Sequence, residues 1–247
     1  MHRVLFWTIL LPTVLSAQDS VEFIGRYWAP QFHGQVRVDR SGFGTDIDAR
    51  RDLGVKNTNF PSGEVSWRRG RHRVSFGYTP IEYSGDREVV RTILFGGREY
   101  TLGTRVVSNL EVKHLQLGWS WQFIDIRDGL VRLGPLIEAD GFLMRGKLSA
   151  PSLGFSESSD LSAGLPGVGA ALNIRPHPRV ELYAQAAGMK AGEYGHFVGS
   201  DAGVKVRVWK AVLLTGGYRT FDLHVRSSSD FANFRLHGPF AGAGFRF

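Results

Sequence analysis

HLQLGWSWQF, residues 114–123, puts Leu115, Leu117, Trp119, Trp121 and Phe123 at odd positions, with His114, Gln116, Gly118, Ser120 and Gln122 between them. Successive side chains of a strand point to opposite faces, so this period of two makes one apolar face ending in aromatics and one polar or small face. The dyad recurs in RVELYAQAAG, residues 179–188, where Val180, Leu182, Ala184 and Ala186 alternate with Glu181, Tyr183 and Gln185. In GVKVRVW, residues 203–209, Val204, Val206 and Val208 alternate with Lys205 and Arg207. The chain ends on HGPFAGAGFRF, with Ala241, Ala243, Phe245 and Phe247 at every second position. A terminus is usually frayed and polar, so an alternating strand running to the last residue implies an end locked into a sheet.

Composition narrows the classes. The 247 residues include 31 Gly, 12% aromatics and no Cys, which removes disulfides, thiolate metal sites and a cysteine nucleophile. MHRVLFWTILLPTVLSA, residues 1–17, has a basic start at Arg3, an apolar run and small residues at Ser16 and Ala17. That is the pattern of a secretory signal peptide, and the run is shorter than the roughly 20 residues of a membrane helix. Cleavage near Ala17 is expected, leaving residues 18–247 as a single domain. Loss of Arg3 takes the formal net charge from +7 to about +6. For an exported chain with no basic run, this balance points to an anionic membrane surface and away from nucleic acid.

The spacing of the connections decides which side of the sheet is dry. Short turns at Arg68–Arg71, Pro176–Pro178 and Trp209–Val212 alternate with longer polar stretches at 39–59, 83–106 and 150–160. Short turns on one rim and long loops on the other are the signature of a transmembrane barrel. Strands are expected near 20–30, 60–68, 72–82, 107–123, 130–149, 162–175, 179–189, 197–209, 212–225 and 232–247. These ten return the C-terminus to the rim where the N-terminus starts; eight is the alternative count, because the first loop has room for irregular structure.

The signal peptide, the dyad strands, the aromatic strand ends and the terminal FAGAGFRF together resemble bacterial outer-membrane β-barrels of the small OmpA and OmpX kind. The resemblance implies an all-β, closed antiparallel transmembrane barrel in the bacterial outer membrane, with short periplasmic turns and long extracellular loops. It also implies that Phe245 and Phe247 form the signal read by the barrel assembly machinery, and that outer-membrane lipid and lipopolysaccharide surround the wall. No subfamily and no oligomeric state are specified. Trp67, Trp119, Trp121, Tyr218, Phe245 and Phe247 fall on the outward parity near strand ends, where an interfacial girdle sits.

The inward parity collects Glu22, Arg26, Glu64, His114, Gln116, Glu138, Asp140, Glu181, Lys205, Arg207, Arg219 and Arg246. A barrel of this size has just enough interior for side chains, so these charges are expected to pair and plug the lumen. A narrow porin is the alternative. Glu138 and Asp140 lie two apart on one face, with Arg207 or Arg219 available to neutralise them.

A third reading, an outer-membrane hydrolase acting on lipid or peptide, would need a histidine converging with a carboxylate or serine at the outer rim. His114, His196, His224 and His237 are the candidates, although no local motif selects them and a non-enzymatic role is favoured. Asp39, Asp46, Asp48 and Asp52 in the first loop lack the spacing of a calcium loop. Arg40, Arg50 and Arg51 compete for those carboxylates, so no metal is expected. GLPGVGAAL, residues 164–172, lacks the strand–turn–helix context of a dinucleotide fingerprint, and no cofactor is expected. Arg87, Arg91, Arg98 and Arg105 are basic loop residues placed to meet lipopolysaccharide phosphates.

Overall fold

A computed structural model describes residues 19–37, 45–95, 98–127, 129–190, 192, 195–227 and 230–247; the expected signal peptide lies outside them. The strands in chain order are β1 (Ser20–Trp28), β2 (Gln31–Arg37), β3 (Ile47–Asp48), β4 (Phe60–Arg69), β5 (His72–Glu88), β6 (Ile93–Phe95), β7 (Arg98–Tyr100) and β8 (Arg105–Trp121). They continue as β9 (Ile124–Ile126), β10 (Val131–Ala150), β11 (Phe155–His177), β12 (Val180–Lys190), β13 (Gly195–Arg207), β14 (Val212–Ser227) and β15 (Asp230–Arg246).

Ten of them, β1, β4, β5, β8 and β10 to β15, pair antiparallel in that order, and β15 closes on β1. The number and extents match the expectation, with β5 and β11 running several residues further into the long-loop end. Closure leaves no strand edge in hydrocarbon, where each unpaired backbone group costs several kcal/mol. The seam runs from Glu22↔Arg246 to Trp28↔Phe240. It ends in reciprocal 3.0 Å backbone bonds between Val21 and Phe247, so the last residue is the final rung of the sheet. Gly242 and Gly244 face inward here, and a Cβ on Gly244 would sit 2.1 Å from the Phe23 carbonyl oxygen. Only glycine lets the closing strands approach this closely.

β2, unexpected from the sequence, continues the line of β1 after the Ala29–Pro30 interruption and pairs with the first half of β15. Its outward residues, Gln31, His33 and Gln35, are polar, which hides the strand from a search for apolar outward faces.

The dyad changes sign along the barrel. Towards the short-turn end the outward side chains are apolar: Val74, Phe76 and Tyr78 on β5, Leu117 and Trp119 on β8, Ile137 and Leu143 on β10, Leu214 and Tyr218 on β14 are all exposed. Such an area of bare apolar surface is not tolerated by water and needs a hydrocarbon solvent. No helix among the described residues is long and apolar enough to cross a membrane; the strands do the crossing. Towards the long-loop end the inward positions are apolar, with Ile81 and Tyr83 on β5, Val106 on β8, Leu148 on β10, Leu223 on β14 and Leu236 on β15 buried. The outward ones there are Glu82 and Asp86, Lys113 and Glu111, Arg145 and Lys147, Asp222 and His224, Arg235 and His237. This inversion marks where the membrane ends on each strand.

Candidate functional site

The inward side chains form three tiers. The lowest, near the short turns, is ionic. Glu22 accepts from Lys205 Nζ at 2.8 Å and from the Arg246 guanidinium, and Arg246 also reaches Glu181 at 2.9 Å. Glu181 further accepts from Arg175 and from Asn173, each at 3.1 Å. One level up, Arg26 bridges Glu64 at 2.8 Å and Asp201 at 3.0 Å, while Arg73 holds the other oxygen of Glu64. Strands that are not sheet neighbours meet here: Glu22 to Lys205 and Arg26 to Asp201 both join β1 to β13, three strands away around the ring. Buried charges are stable only when paired and hydrogen-bonded, and aromatic rings add to the pairing: Arg26 lies 5.1 Å from the Phe240 centroid and Lys205 5.1 Å from that of Tyr183.

The expected charges therefore divide. Glu22, Glu181, Lys205 and Arg246 meet in one hydrogen-bonded cluster, and Arg26 and Glu64 in a second one just above it. Arg219 donates to Thr79 and stacks 5.4 Å over Trp28, with no ion pair to a carboxylate among the described residues. Arg207 is half-buried at the short-turn rim, and its Nε has no partner among the described residues. His114, buried mid-barrel, shares a 2.7 Å hydrogen bond with Asp140 and stacks on Phe142 at 4.6 Å. Glu138 lies beside that pair, in a polar pocket also lined by Gln116, Gln185 and Arg219.

These clusters also include Arg73 and Asp201 in the upper one and Arg175 in the lower one, none of them expected from the sequence. Parity alone marks the first two: Arg73 precedes the outward Val74, and Asp201 shares the face of Lys205. Arg68, read as a turn residue, is the penultimate residue of β4 and turns inward to Gln122.

The second tier is apolar. Phe32, Phe60, Tyr83, Phe142, Phe197, Phe221, Leu223 and Leu236 form one buried cluster across the barrel. Phe32 stacks on Tyr83 at 4.3 Å, and Phe142 meets Phe221 edge-on at 5.3 Å.

The third tier is the first loop, folded into the mouth. Ile47, Asp52 and Val55 are buried, and the Leu53 carbonyl lies where a side chain on Gly85 would point. Asp52 is the clamp. Its carboxylate accepts from Arg91 at 2.7 Å, from Arg51 at 3.1 Å and from the Asp48 amide at 2.9 Å. Burial pushes this carboxyl up, but those three donors outweigh it and hold Asp52 well below the usual carboxylate range. Of the other loop aspartates, Asp46 pairs with Arg37 and Asp48 accepts backbone amides; Asp39 lies outside the described residues. No group of three or more histidine or acidic side chains able to hold a metal occurs among the described residues.

The basic loop residues differ in placement. Arg105 is engaged by Asp86 at 2.6 Å on the outer wall, Arg91 is taken by the clamp, and a Cβ on Gly54 would rest against Arg87. Three of the four candidate histidines, His196, His224 and His237, face outward above the apolar belt. His196 comes within 3.8 Å of Asp222 there.

No family model matches this sequence, and no curated protein matches it either. Solved structures do resemble the fold. The outer membrane protease OmpT from Escherichia coli superposes with a TM-score of 0.55 at 10% identity, over 95% of this chain and 99% of that one. The translocator domain of autotransporter NalP from Neisseria meningitidis gives 0.48 at 11% identity, over 95% and 90%. The attachment invasion locus protein Ail of Yersinia pestis gives 0.38 at 16%, over 93% and 99%. At 10% identity the likeness to OmpT is one of fold.

Proposed function

We propose that this integral outer-membrane β-barrel is an electrically closed platform whose work is done by its extracellular rim and outer wall. The observation that carries the reading is the stacking of three chemically different inward layers: ion pairs, packed aromatics and a loop tied down by Asp52. A porin needs a continuous water path, and here the ionic side chains pair across the lumen instead of lining one.

A hydrolytic role finds less support. The buried histidine–carboxylate pair, His114 and Asp140, lies beneath the aromatic layer, away from any substrate at the rim. His196 and Asp222 sit on the outer wall of the sheet, with no serine or second carboxylate converging on them among the described residues. The likeness to OmpT, a protease, extends to the fold.

Single-channel recording of the protein refolded into a planar phosphatidylcholine bilayer tests the platform reading. Folded barrel with no unitary current is expected. Stable, reproducible conductance steps would overturn the reading and make the ionic layer a selectivity filter.

A further inference from the structure

Four histidines gather on the outer wall of β13, β14, β15 and β2. The register places them in a lattice: His196↔His224↔Asn233↔Gln35 in the upper row, Val198↔Asp222↔Arg235↔His33 in the middle and Ser200↔Thr220↔His237↔Gln31 below. Beneath these comes Ala202↔Tyr218↔Pro239, the edge of the apolar belt. Two shallow grooves cross the patch and share Arg235 and His237. The rings stand in pairs, His196 with His224 at 5.5 Å and His33 with His237 at 5.7 Å.

Other charges face this patch from each neighbouring element. Lys190 of β12 stands opposite His196. Asp222 is occupied by Arg235 at 2.6 Å. Asp48 accepts the backbone amides of Arg50 and Arg51 at 3.0 and 2.8 Å, and Arg37 pairs with Asp46. With the imidazoles neutral, Lys190, Arg37, Arg50 and Arg235 against Asp46, Asp48 and Asp222 leave about one net positive charge. Each protonation adds a positive charge, and two stacked imidazolium rings repel one another unless an anion sits between them. Position narrows the anion: the patch begins one row above Tyr218, at the height where a membrane lipid carries its headgroup.

We propose that this face binds the phosphate groups of a phosphorylated glycolipid of the outer leaflet, and that its four histidines make the binding strengthen as pH falls through the imidazole range. The inference rests on the orientation of the platform reading, with the long-loop rim outward. Histidine is the side chain whose ordinary titration lies between about pH 5 and 8, so a histidine-built site is conditional where one built from arginine and lysine would be permanent. Charge-assisted bonds to phosphate oxygens are the stronger class, and with Arg235 held by Asp222 the groove offers Arg50 as a constant cation beside the conditional ones.

The test titrates the full-length folded protein, in dodecyl maltoside micelles, with a diphosphorylated glucosamine-disaccharide glycolipid at pH 5.5 and 7.5, followed by calorimetry. Binding about tenfold tighter at pH 5.5 is expected. In the variant H33Q/H196Q/H224Q/H237Q the ratio should fall to near one, with circular dichroism confirming an intact sheet. The double variant H196Q/H224Q should lose part of it. Equal affinity at both pH values, or a pH ratio that survives the quadruple variant, would overturn the proposal. So would equal binding of the dephosphorylated glycolipid, which would remove the phosphate, or full competition by inorganic phosphate, which would remove the lipid. A silent bilayer recording beside a failed titration would leave the platform standing and the lipid site refuted.

Discussion

Within the membrane this barrel has a charged inside and an apolar outside; above the membrane the same strands have an apolar inside and a charged outside. β14 shows the switch within six residues, from outward Tyr218 and inward Arg219 to inward Leu223 and outward Asp222. Solvent sets the outer face in each zone, and the interior takes the complement. The two interiors are stabilised differently. The ionic layer depends on each partner being present, because a buried charge left alone is costly. The aromatic layer depends on area and volume, which neighbouring side chains can partly restore.

Breaking each interior separately measures that difference. Arg26→Ala leaves Glu64 without one partner and Asp201 without its guanidinium, so a loss of about 3–5 kcal/mol is expected, read by urea unfolding of the protein refolded in phosphatidylcholine vesicles. A loss below about 1 kcal/mol would mean that water replaces the guanidinium and that the ionic layer is as forgiving as the aromatic one. Phe142→Leu keeps most of the volume and should cost about 1–1.5 kcal/mol in the same assay. A larger loss would trace to the His114 ring that Phe142 covers.

The smallest effect is expected at the lid. Asp52→Asn removes the charge from a clamp whose arginines are substantially exposed, so about 0.5–1 kcal/mol is at stake. The expected result is faster amide hydrogen exchange over residues 45–57, with global unfolding unchanged. The pH dependence has the sign of a lowered carboxyl. The clamp is complete above the ordinary aspartate value near ~3.9 and is lost only as pH falls below that towards the lower native value. Protection of these amides, relative to their intrinsic exchange rates, should therefore fall only below about pH 4, and a loss of protection near pH 6 would implicate other groups.

The membrane zone was legible because its chemistry is extreme. Trp119, Leu117 and Leu115 opposite Ser120, Gly118 and Gln116 admit one period and one solvent. Counting such stretches gave the ten strands and, through parity, most of the ionic layer. β2 was not legible as a strand because Gln31, His33 and Gln35 face water above the membrane, where an outward polar residue carries no sign of a barrel. Phe32 and Leu236 were likewise not seen as lumen residues, since the inward face was searched for charged and polar side chains. Which carboxylate meets which guanidinium depends on stagger across the barrel, and local spacing does not encode that. The lid was hidden for another reason: its buried residues, Ile47, Asp52 and Val55, follow no period, and they are held by Arg91 from a different loop.

The seam between Val21 and Phe247 has a consequence for the order of assembly. The two strands that close the cylinder are the farthest apart in the chain, so no local hairpin can substitute for their meeting, and contacts of such sequence separation form slowly. Until they meet, any partly built sheet carries two raw edges that lipid cannot satisfy. An intermediate of nine strands is therefore no more at home in the bilayer than one of three, and entry into the membrane has to coincide with closure or be escorted until it happens.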